Sequence, residues 1–287
     1  MKKENTAKVL MAAAMFLFGT LAPFVRNINV SSGELALYRA ILAAILVGSF
    51  LLITKQKLSF NSIKKEFLLL LLSGAAMGIN WILLFEAYKY TTVSVATLSY
   101  YFAPVIVMVV CPLLFREKLS GKQIVCFVMA SAGLVLITGT AGGGEKDLLG
   151  IAFGLGAAVF YAAVMLLNKV IKGVTGIHRT FIQFISAIVV LMPYVALTSG
   201  SALGELNIGG WTALLIVGLV HTGITYCMYF SALKELPGQK VAILSYIDPL
   251  VAVMVSVICL SEEMTLSQIV GGLLILGFTL WSELPVV

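Results

Sequence analysis

The tail of this 287-residue chain repeats its middle, 145 residues later. The segment FEAYK at 85–89 aligns with FSALK at 230–234, and further along Tyr101 aligns with Tyr246 without a gap. This offset places five apolar segments in each copy. Because five is an odd number, the second copy must cross a membrane in the opposite direction to the first. Inverted repeats of this kind are the architecture of secondary transporters, which hold substrate between the repeats near the midplane.

The composition requires a membrane environment along the whole chain. Hydrophobic residues make up 60% of the chain and charged residues 11%, whereas soluble domains have about 25% charged residues. A bilayer core of about 30 Å needs about 20 apolar residues per helix. The sequence therefore predicts an all-α polytopic membrane protein with ten transmembrane helices as two inverted five-helix repeats. The predicted helices are 8–26, 34–53, 66–88, 94–115, 121–139, 149–170, 178–198, 211–233, 239–259 and 266–283.

A glycine-rich segment divides the two copies. We predict a first five-helix repeat over residues 1–140, a flexible linker over 141–148, and a second five-helix repeat over 149–287.

Basic residues are distributed unevenly between the loops on the two sides of these helices. With the N-terminus in the cytoplasm, the inner loops hold fifteen Lys and Arg residues, and the outer loops hold only Arg26, Lys89 and Lys146. This bias follows the positive-inside rule. It predicts a multi-pass protein of the cell inner (cytoplasmic) membrane with both termini cytoplasmic. The net charge of +6 is therefore a topology signal, and no nucleic-acid partner is expected.

Two prolines occupy equivalent positions in the fourth and ninth helices. Pro104 and Pro249 each follow polar residues near the middle of their helix. Proline removes a backbone donor and frees a carbonyl, which in lipid needs a neighbour or a water-filled cavity. Membrane helices also tolerate proline without a special role. Because the two prolines align between the repeats, we predict that they act as hinges beside a cavity.

The sequences around these prolines resemble a known family. LSYYFAP at 98–104 followed by FREKLS at 115–120, and LSYIDP at 244–249 followed by SEEMT at 261–265, are similar to the EamA repeat of the drug/metabolite transporter (DMT) superfamily. The first copy departs from the pattern at Phe115-Arg116, where glycine usually precedes the glutamate. The resemblance covers nearly the whole chain. It implies a ten-helix bundle around a central cavity, alternating access, and, as in many bacterial members, export of amino acids or related metabolites.

Ionisable groups inside the membrane are costly and therefore need an explanation. Asp248 lies midway along the ninth helix, where it is expected to bind a proton or to attract an amine or another cation. The alternative is a structural carboxylate that bonds a neighbouring side chain. His221 lies near the middle of the eighth helix and is a candidate both for a proton relay and for substrate binding. A histidine that only bonds between helices is an equally good explanation.

Several polar and aromatic side chains are candidates for lining the cavity. Asn80 can bond an amino or carboxylate group, and Trp81 can offer a cation–π face. Packing between helices is the competing explanation for both residues. The remaining predicted cavity residues are Tyr100, Tyr101, Thr225, Ser245 and Tyr246.

For three other charged residues, a structural role is the first explanation. Arg39 lies in the second helix, and we expect it near the outer surface, where it snorkels outward or pairs with Glu34 or Glu86. Binding of a substrate carboxylate by Arg39 is the alternative. Glu117 and Glu262 are expected to cap helices or to close gates at opposite membrane faces.

These features predict a secondary active transporter, an exporter of small polar metabolites, most of all amino acids or related compounds. The alternatives are a multidrug or lipophilic-cation exporter and an uptake carrier for a small metabolite. The sequence has no phosphate-binding G-x-x-x-x-G-K-[ST] loop, so a gradient, with protons as the candidate ion, is expected to drive transport. Scattered acids and histidines argue against an enzyme and against a metal or other cofactor, and the lack of a polar ring argues against a channel. The oligomeric state is left open.

Overall fold

Helices account for nearly all of the structure. The structure is a computed structural model that describes residues 2–56, 60–115, 120–139, 145–174, 176–198, 202–233, 235–236 and 238–284. Its helices are α1 (Lys2–Gly19), α2 (Leu21–Arg26), α3 (Ser32–Ile53), α4 (Phe60–Lys65), α5 (Phe67–Tyr90), α6 (Val93–Tyr100), α7 (Ala103–Phe115), α8 (Gly121–Gly139), α9 (Glu145–Val170), α10 (Gly176–Thr198), α11 (Ile208–Leu215), α12 (Thr225–Leu233), α13 (Gly238–Ser245), α14 (Ile247–Cys259) and α15 (Leu266–Glu283). A 3₁₀ turn at Leu203–Glu205 precedes α11, and a π-helical stretch at Ile216–Ile224 joins α11 to α12.

These helices form ten membrane spans within the described residues. Eight helical segments are long and apolar enough to cross a bilayer, and two shorter apolar ones, Ile243–Cys259 and Leu266–Ser282, complete the set. Six spans are single helices: α3, α5, α8, α9 and α10 are spans 2, 3, 5, 6 and 7, and α15 is span 10. Span 1 is α1 with α2, span 4 is α6 with α7, span 8 is α11 to α12, and span 9 is α13 with α14. The predicted all-α fold with two inverted five-helix repeats is thus confirmed.

Contacts between loops show that the spans alternate in direction. We call the end of the bundle where span 1 begins the near end, and the other the far end. At the near end Lys240 bonds Glu4, and Lys122 bonds the carbonyl of Leu284. At the far end the N–H of Ala202 donates to Glu34 at 2.7 Å. Each of these contacts joins chain segments that an alternating traverse brings to the same end.

The predicted linker overlaps the start of a helix. Residues 140–144 lie outside the described part, as does Glu117, while Glu145 already begins α9. The segment 145–148 is therefore helical rather than flexible, because Glu145 and Asp147 place negative charge in the first turn of the helix. The division into units 1–140 and 149–287 remains a prediction.

Both proline-containing spans are interrupted at their centre. Span 4 breaks between Tyr100 and Ala103, and span 9 breaks after Ser245. Pro104 and Pro249 stand in the first turn of the helix that follows each break, where a missing N–H costs nothing. Helix ends therefore lie inside the protein at the centre of both spans. The hinge role of the prolines remains a prediction.

Spans 5 and 10 pack together through glycine. A Cβ on Gly271 would lie 2.5 Å from the carbonyl oxygen of Gly133, and a Cβ on Gly133 would lie 2.5 Å from that of Gly271. Close approach of two backbones through small residues is the usual way in which membrane helices associate. This contact joins the last span of one repeat to the last span of the other.

We predict that Gly271→Ala destabilises the protein, because the added methyl group has no space between the two backbones. The expected loss is about 1–3 kcal/mol, measured as a lower midpoint of thermal unfolding in detergent. Gly277→Ala in the same helix is the control, because nothing lies within 4 Å of its Cβ position. Equal midpoints for the two variants would contradict the proposed packing.

Candidate functional site

A buried arginine lies between the two repeats. The Arg39 side chain projects from α3 into the bundle, and the residue is only 4% exposed. Its guanidinium carbon lies 4.5 Å from the centre of the Trp81 ring and 5.6 Å from that of Phe85. Its Nε donates to the Thr222 hydroxyl at 2.6 Å. One edge of the guanidinium is therefore held in place, and the two terminal nitrogens remain to bind another group.

The expected pairing of Arg39 near the outer surface is wrong. Glu34 instead completes a capping box with Ser31 at the start of α3 and accepts the N–H of Ala202. Glu86 pairs with Lys89 at 3.0 Å. Arg39 has no carboxylate within ion-pair distance in the described part of the chain. Its positive charge is balanced by aromatic faces and one hydroxyl, which are favourable partners for a guanidinium.

The arrangement around Arg39 follows the repeat symmetry. At the offset of 145, Arg39 corresponds to Phe184 and Trp81 corresponds to Tyr226. Trp81 contacts Arg39, and correspondingly Tyr226 contacts Phe184 at 5.4 Å between ring centres. Trp81 and Phe184 also meet at 5.9 Å. The cluster of Arg39, Trp81, Phe184 and Tyr226 therefore combines equivalent positions of both repeats.

Asp248 lies in the same interior region. It is in the first turn of α14, where the helix dipole favours a negative charge. The hydroxyl of Tyr101 donates to its carboxylate. Tyr100 packs edge-on to Tyr101 at 5.6 Å and stacks on Tyr161 at 5.1 Å. Asp248 and these three tyrosines are half-buried.

Arg39 and Asp248 both lie in the interior between the repeats, and within the described residues neither forms an ion pair. The region around them combines one cation, one anion and several aromatic rings. Chemically, such a region can bind a molecule that carries a carboxylate and an amino group, with a body that packs on the rings.

The His221 side chain is held by contacts with neighbouring helices. It lies within the π-helical stretch and is 2% exposed. Its Nε2 is 3.1 Å from the Thr20 hydroxyl, and its Nδ1 is 3.3 Å from the carbonyl of Ile216. The ring also packs on Phe24 at 4.9 Å. Both ring nitrogens thus have protein partners, and His221 ties span 8 to span 1 beside Thr222.

The other predicted cavity residues differ in the contacts that their side chains make within the protein. Asn80 is buried and donates to the Ala157 carbonyl at 2.7 Å, which joins span 3 to span 6. Thr225 and Ser245 bond carbonyls of their own spans, at 2.8 Å each. Tyr246 packs with an apolar cluster that includes Leu98. Trp81 thus contacts Arg39, and Tyr101 bonds Asp248 beside Tyr100. The roles of all these residues in binding a substrate remain predictions.

Four important residues were absent from the predicted site, namely Arg26, Tyr161, Phe184 and Tyr226. A signal for two of them existed in the sequence, because the 145-residue offset projects Arg39 onto Phe184 and Trp81 onto Tyr226. No sequence signal pointed to Arg26 or Tyr161.

The far end of the cavity is closed by a network around Glu262. Arg26 pairs with Glu262 at 2.6 Å, and the N–H of Val93 at the start of α6 donates to it at 2.8 Å. Ser256 of α14 also bonds Glu262 and accepts the Ser94 hydroxyl at 2.7 Å. These contacts hold α6 against α14. In the described residues, the repeat-related pair α13 and α7 at the near end does not pack in this way.

At the near end another carboxylate joins the repeats. Glu66, directly before α5, accepts the N–H groups of Lys172, Gly173 and Val174 at 2.9–3.2 Å. The bond from Gly173, together with the two neighbouring ones, holds the pKa of Glu66 below its ordinary value. This contact connects span 3 to the turn between spans 6 and 7.

A family model and related proteins match nearly the whole chain. The model described as "EamA-like transporter family" matches residues 5–139 and again residues 148–282. A Bacillus subtilis (strain 168) protein named "Uncharacterized transporter YxxF" is 29% identical over 96% of this chain and 88% of its own length. A Clostridium kluyveri protein named "Uncharacterized transporter" is 24% identical over 83% of this chain and 81% of its own.

One solved structure has a similar fold. A chain titled "Crystal structure of protein" superposes with a TM-score of 0.63 and covers 96% of both chains. The two sequences are 14% identical. This similarity concerns the arrangement of the helices and carries no information on substrate.

We predict that Glu66→Gln lowers the stability of the protein at neutral pH. A carboxylate whose folded pKa is lowered stabilises the fold above its unfolded pKa, about 4.3 for Glu, and this contribution is lost as the pH falls through the folded value. The difference in thermal midpoint between wild type and variant should therefore stay nearly constant from about pH 7 to pH 5, and it should shrink as the pH falls below about 4.3. Glu205→Gln, at an exposed carboxylate of the 3₁₀ turn, is the control. A difference that does not change with pH would contradict the role of the charge.

Proposed function

The chain belongs to the EamA-like transporter family, and from this and the cavity geometry we propose that it is a secondary active exporter of amino acids or related zwitterionic metabolites. The substrate occupies the cavity between the two repeats, where Arg39 receives its carboxylate and Asp248 receives its amino group. Alternating access moves this cavity from one membrane face to the other. The protein is a multi-pass membrane protein, and the proteins it resembles are named as transporters.

The observation that carries this proposal is the pair of opposite charges in the interior between the repeats, neither of which has an ion-pair partner among the described residues. A buried guanidinium is costly unless a partner compensates for it. Arg39 uses its Nε for Thr222 and lies on Trp81, so its terminal nitrogens can form two parallel bonds to a carboxylate. Asp248 bonds Tyr101 alone among the described side chains. A zwitterion satisfies both charges at once.

The charge distribution supports the orientation of the carrier. Among the described residues, the far end has Arg26, Lys89 and Lys146, whereas the near end has the larger share of Lys and Arg. By the positive-inside rule the near end faces the cytoplasm, with both termini, and the membrane is the inner (cytoplasmic) membrane. Among the described residues, α6 and α14 pack together at the far end, whereas α13 and α7 do not pack in this way at the near end. This difference supports a cavity that loads from the cytoplasm, which fits export. An uptake carrier would use the same cavity in reverse.

A second candidate function is favoured by Asp248 and its tyrosines. An acid beside aromatic rings is also a binding site for a lipophilic cation, as in a multidrug exporter. Arg39 in the same cavity opposes this function, because its charge repels a cation that brings no carboxylate. The first candidate therefore accounts for more of the cavity.

We predict that Arg39→Gln lowers amino-acid transport about ten- to hundredfold. The basis is the loss of charge-assisted hydrogen bonds worth about 1.5–3 kcal/mol. Transport is measured in liposomes with labelled amino acids and with their amides, which keep the amino group and lack the carboxylate. Arg39→Lys is the matched variant, because it keeps the charge and loses the two-pronged geometry.

Wild type should transport the acids and not the amides, and Arg39→Lys should retain part of the rate. A thermal midpoint equal to that of wild type shows that each variant is folded. Equal transport of acids and amides by wild type would overturn the role of Arg39. Export of lipophilic cations that is lost in Asp248→Asn would favour the second candidate.

We predict that protons couple to transport through Asp248. Asp248→Asn should then abolish the acceleration of amino-acid movement by an imposed pH gradient, because Asn cannot take up and release a proton. Transport without a gradient, at equal pH on both sides, is the comparison for each variant. An undiminished response to the gradient in the variant would exclude Asp248 as the coupling group.

A further inference from the structure

A pocket at the far end is separate from the central cavity. It has a volume of about 390 Å³, within the range of small-molecule sites. It lies between the end of span 1, the start of span 2 and the end of span 3. Residues of all three spans line it, among them Arg26, Ser32, Phe85 and Lys89.

The pocket contains several hydrogen-bond donors, two of them cationic side chains. Ser32 is 2% exposed, and its hydroxyl has no hydrogen-bond partner among the described residues. The side chains of Arg26 and Lys89 are 33% and 48% exposed, so both cations can be reached from the pocket. The carboxylates at the rim, Glu262 and Glu86, are engaged with these two cations. A small carboxylate with an apolar body matches these donors and the apolar wall that includes Leu35 and Phe85.

Arg26 links this pocket to the closure of the far end. One guanidinium nitrogen pairs with Glu262, and another donates to the carbonyls of Tyr88 and Thr91 at 3.4 and 3.3 Å. Glu262 in turn holds the N–H of Val93. A carboxylate that binds Arg26 competes with Glu262 for the same charge. Its binding therefore weakens the contact that holds α6 to α14.

Phe85 separates the pocket from the central cavity. It is 1% exposed, it lines the pocket, and its ring lies on the other side against Arg39. A carboxylate in the pocket is therefore one aromatic side chain away from the guanidinium of Arg39. A movement of this ring would open a path between the two sites.

We propose that the far-end pocket is a second binding site for a carboxylate-bearing small molecule, and that its occupancy releases Glu262 from Arg26. This inference rests on the proposed transport of carboxylate substrates. It adds a second binding site at the far end of the carrier. A molecule that leaves the central cavity, or one that arrives from the far side, binds there and weakens the contact between Arg26 and Glu262.

The test is protection of a cysteine that lines the pocket. Asn29 is exposed and lines it, so Asn29→Cys is placed in a full-length chain whose four native cysteines are replaced by serine or alanine. The protein in lipid nanodiscs is labelled with a membrane-impermeant maleimide, in the presence of L-leucine or of L-leucinamide. Leucinamide has the same side chain and lacks the carboxylate.

We expect L-leucine to slow labelling about tenfold at about ten times its dissociation constant, and leucinamide to have no effect. Protection should persist when Arg39→Gln is added, which disables the central site. It should be lost with Arg26→Gln and weakened with Ser32→Ala, which removes the buried hydroxyl by a small change. A lack of protection by L-leucine, equal protection by leucinamide, or protection that disappears with Arg39→Gln would each overturn the second site.

The release of the closure has its own readout. Ser94 is buried behind Glu262, and Ser94→Cys in the same background should label faster with Glu262→Gln. L-leucine should increase the labelling rate with Glu262 in place and should have no effect in Glu262→Gln. If neither L-leucine nor Glu262→Gln changes the labelling rate of Ser94→Cys, the link between the pocket and the closure of the far end is contradicted. Because transport is not measured here, failure of this test differs from failure of the proposed function.

Discussion

An unpaired guanidinium in the middle of a membrane protein is the feature on which the rest of the site depends. Arg39 is neutralised by no carboxylate among the described residues, and it is held by the face of Trp81 and by the Thr222 hydroxyl. Such a charge is tolerated only in rigid and electron-rich surroundings. The interior contacts supply that rigidity: Asn80 fixes span 3 to span 6, and His221 fixes span 8 to span 1.

The two repeats are equivalent in topology but not in packing. At the far end Glu262 gathers Arg26, the N-terminus of α6 and Ser256 of α14. At the near end the described residues of α13 and α7 show no matching contact. In a carrier built from inverted repeats, the two alternating states exchange the conformations of the two halves. This asymmetry is what a single state of such a carrier should have.

The fold could be predicted from the sequence because each feature that indicates it is local or periodic along the chain. Apolar length predicted the spans, because the length of an apolar segment is read directly from the sequence. How deeply the site residues lie inside the bundle was harder to predict. The position of Arg39 along its helix suggested the outer surface, because sequence distance measures height along the helix and not the direction of the side chain. The π-helical stretch around His221 was likewise invisible, since widened turns have no composition signature.

The cluster around Arg39 also has a consequence for the number of cations in the interior. A chain made of two identical repeats would place a second arginine at position 184, and the cluster would then hold two guanidinium groups. Phe184 occupies that position instead and contacts both Trp81 and Tyr226. Divergence of the duplicated halves has thus left one cation where symmetry would have set two. The interior of the molecule therefore has one guanidinium at this cluster rather than two.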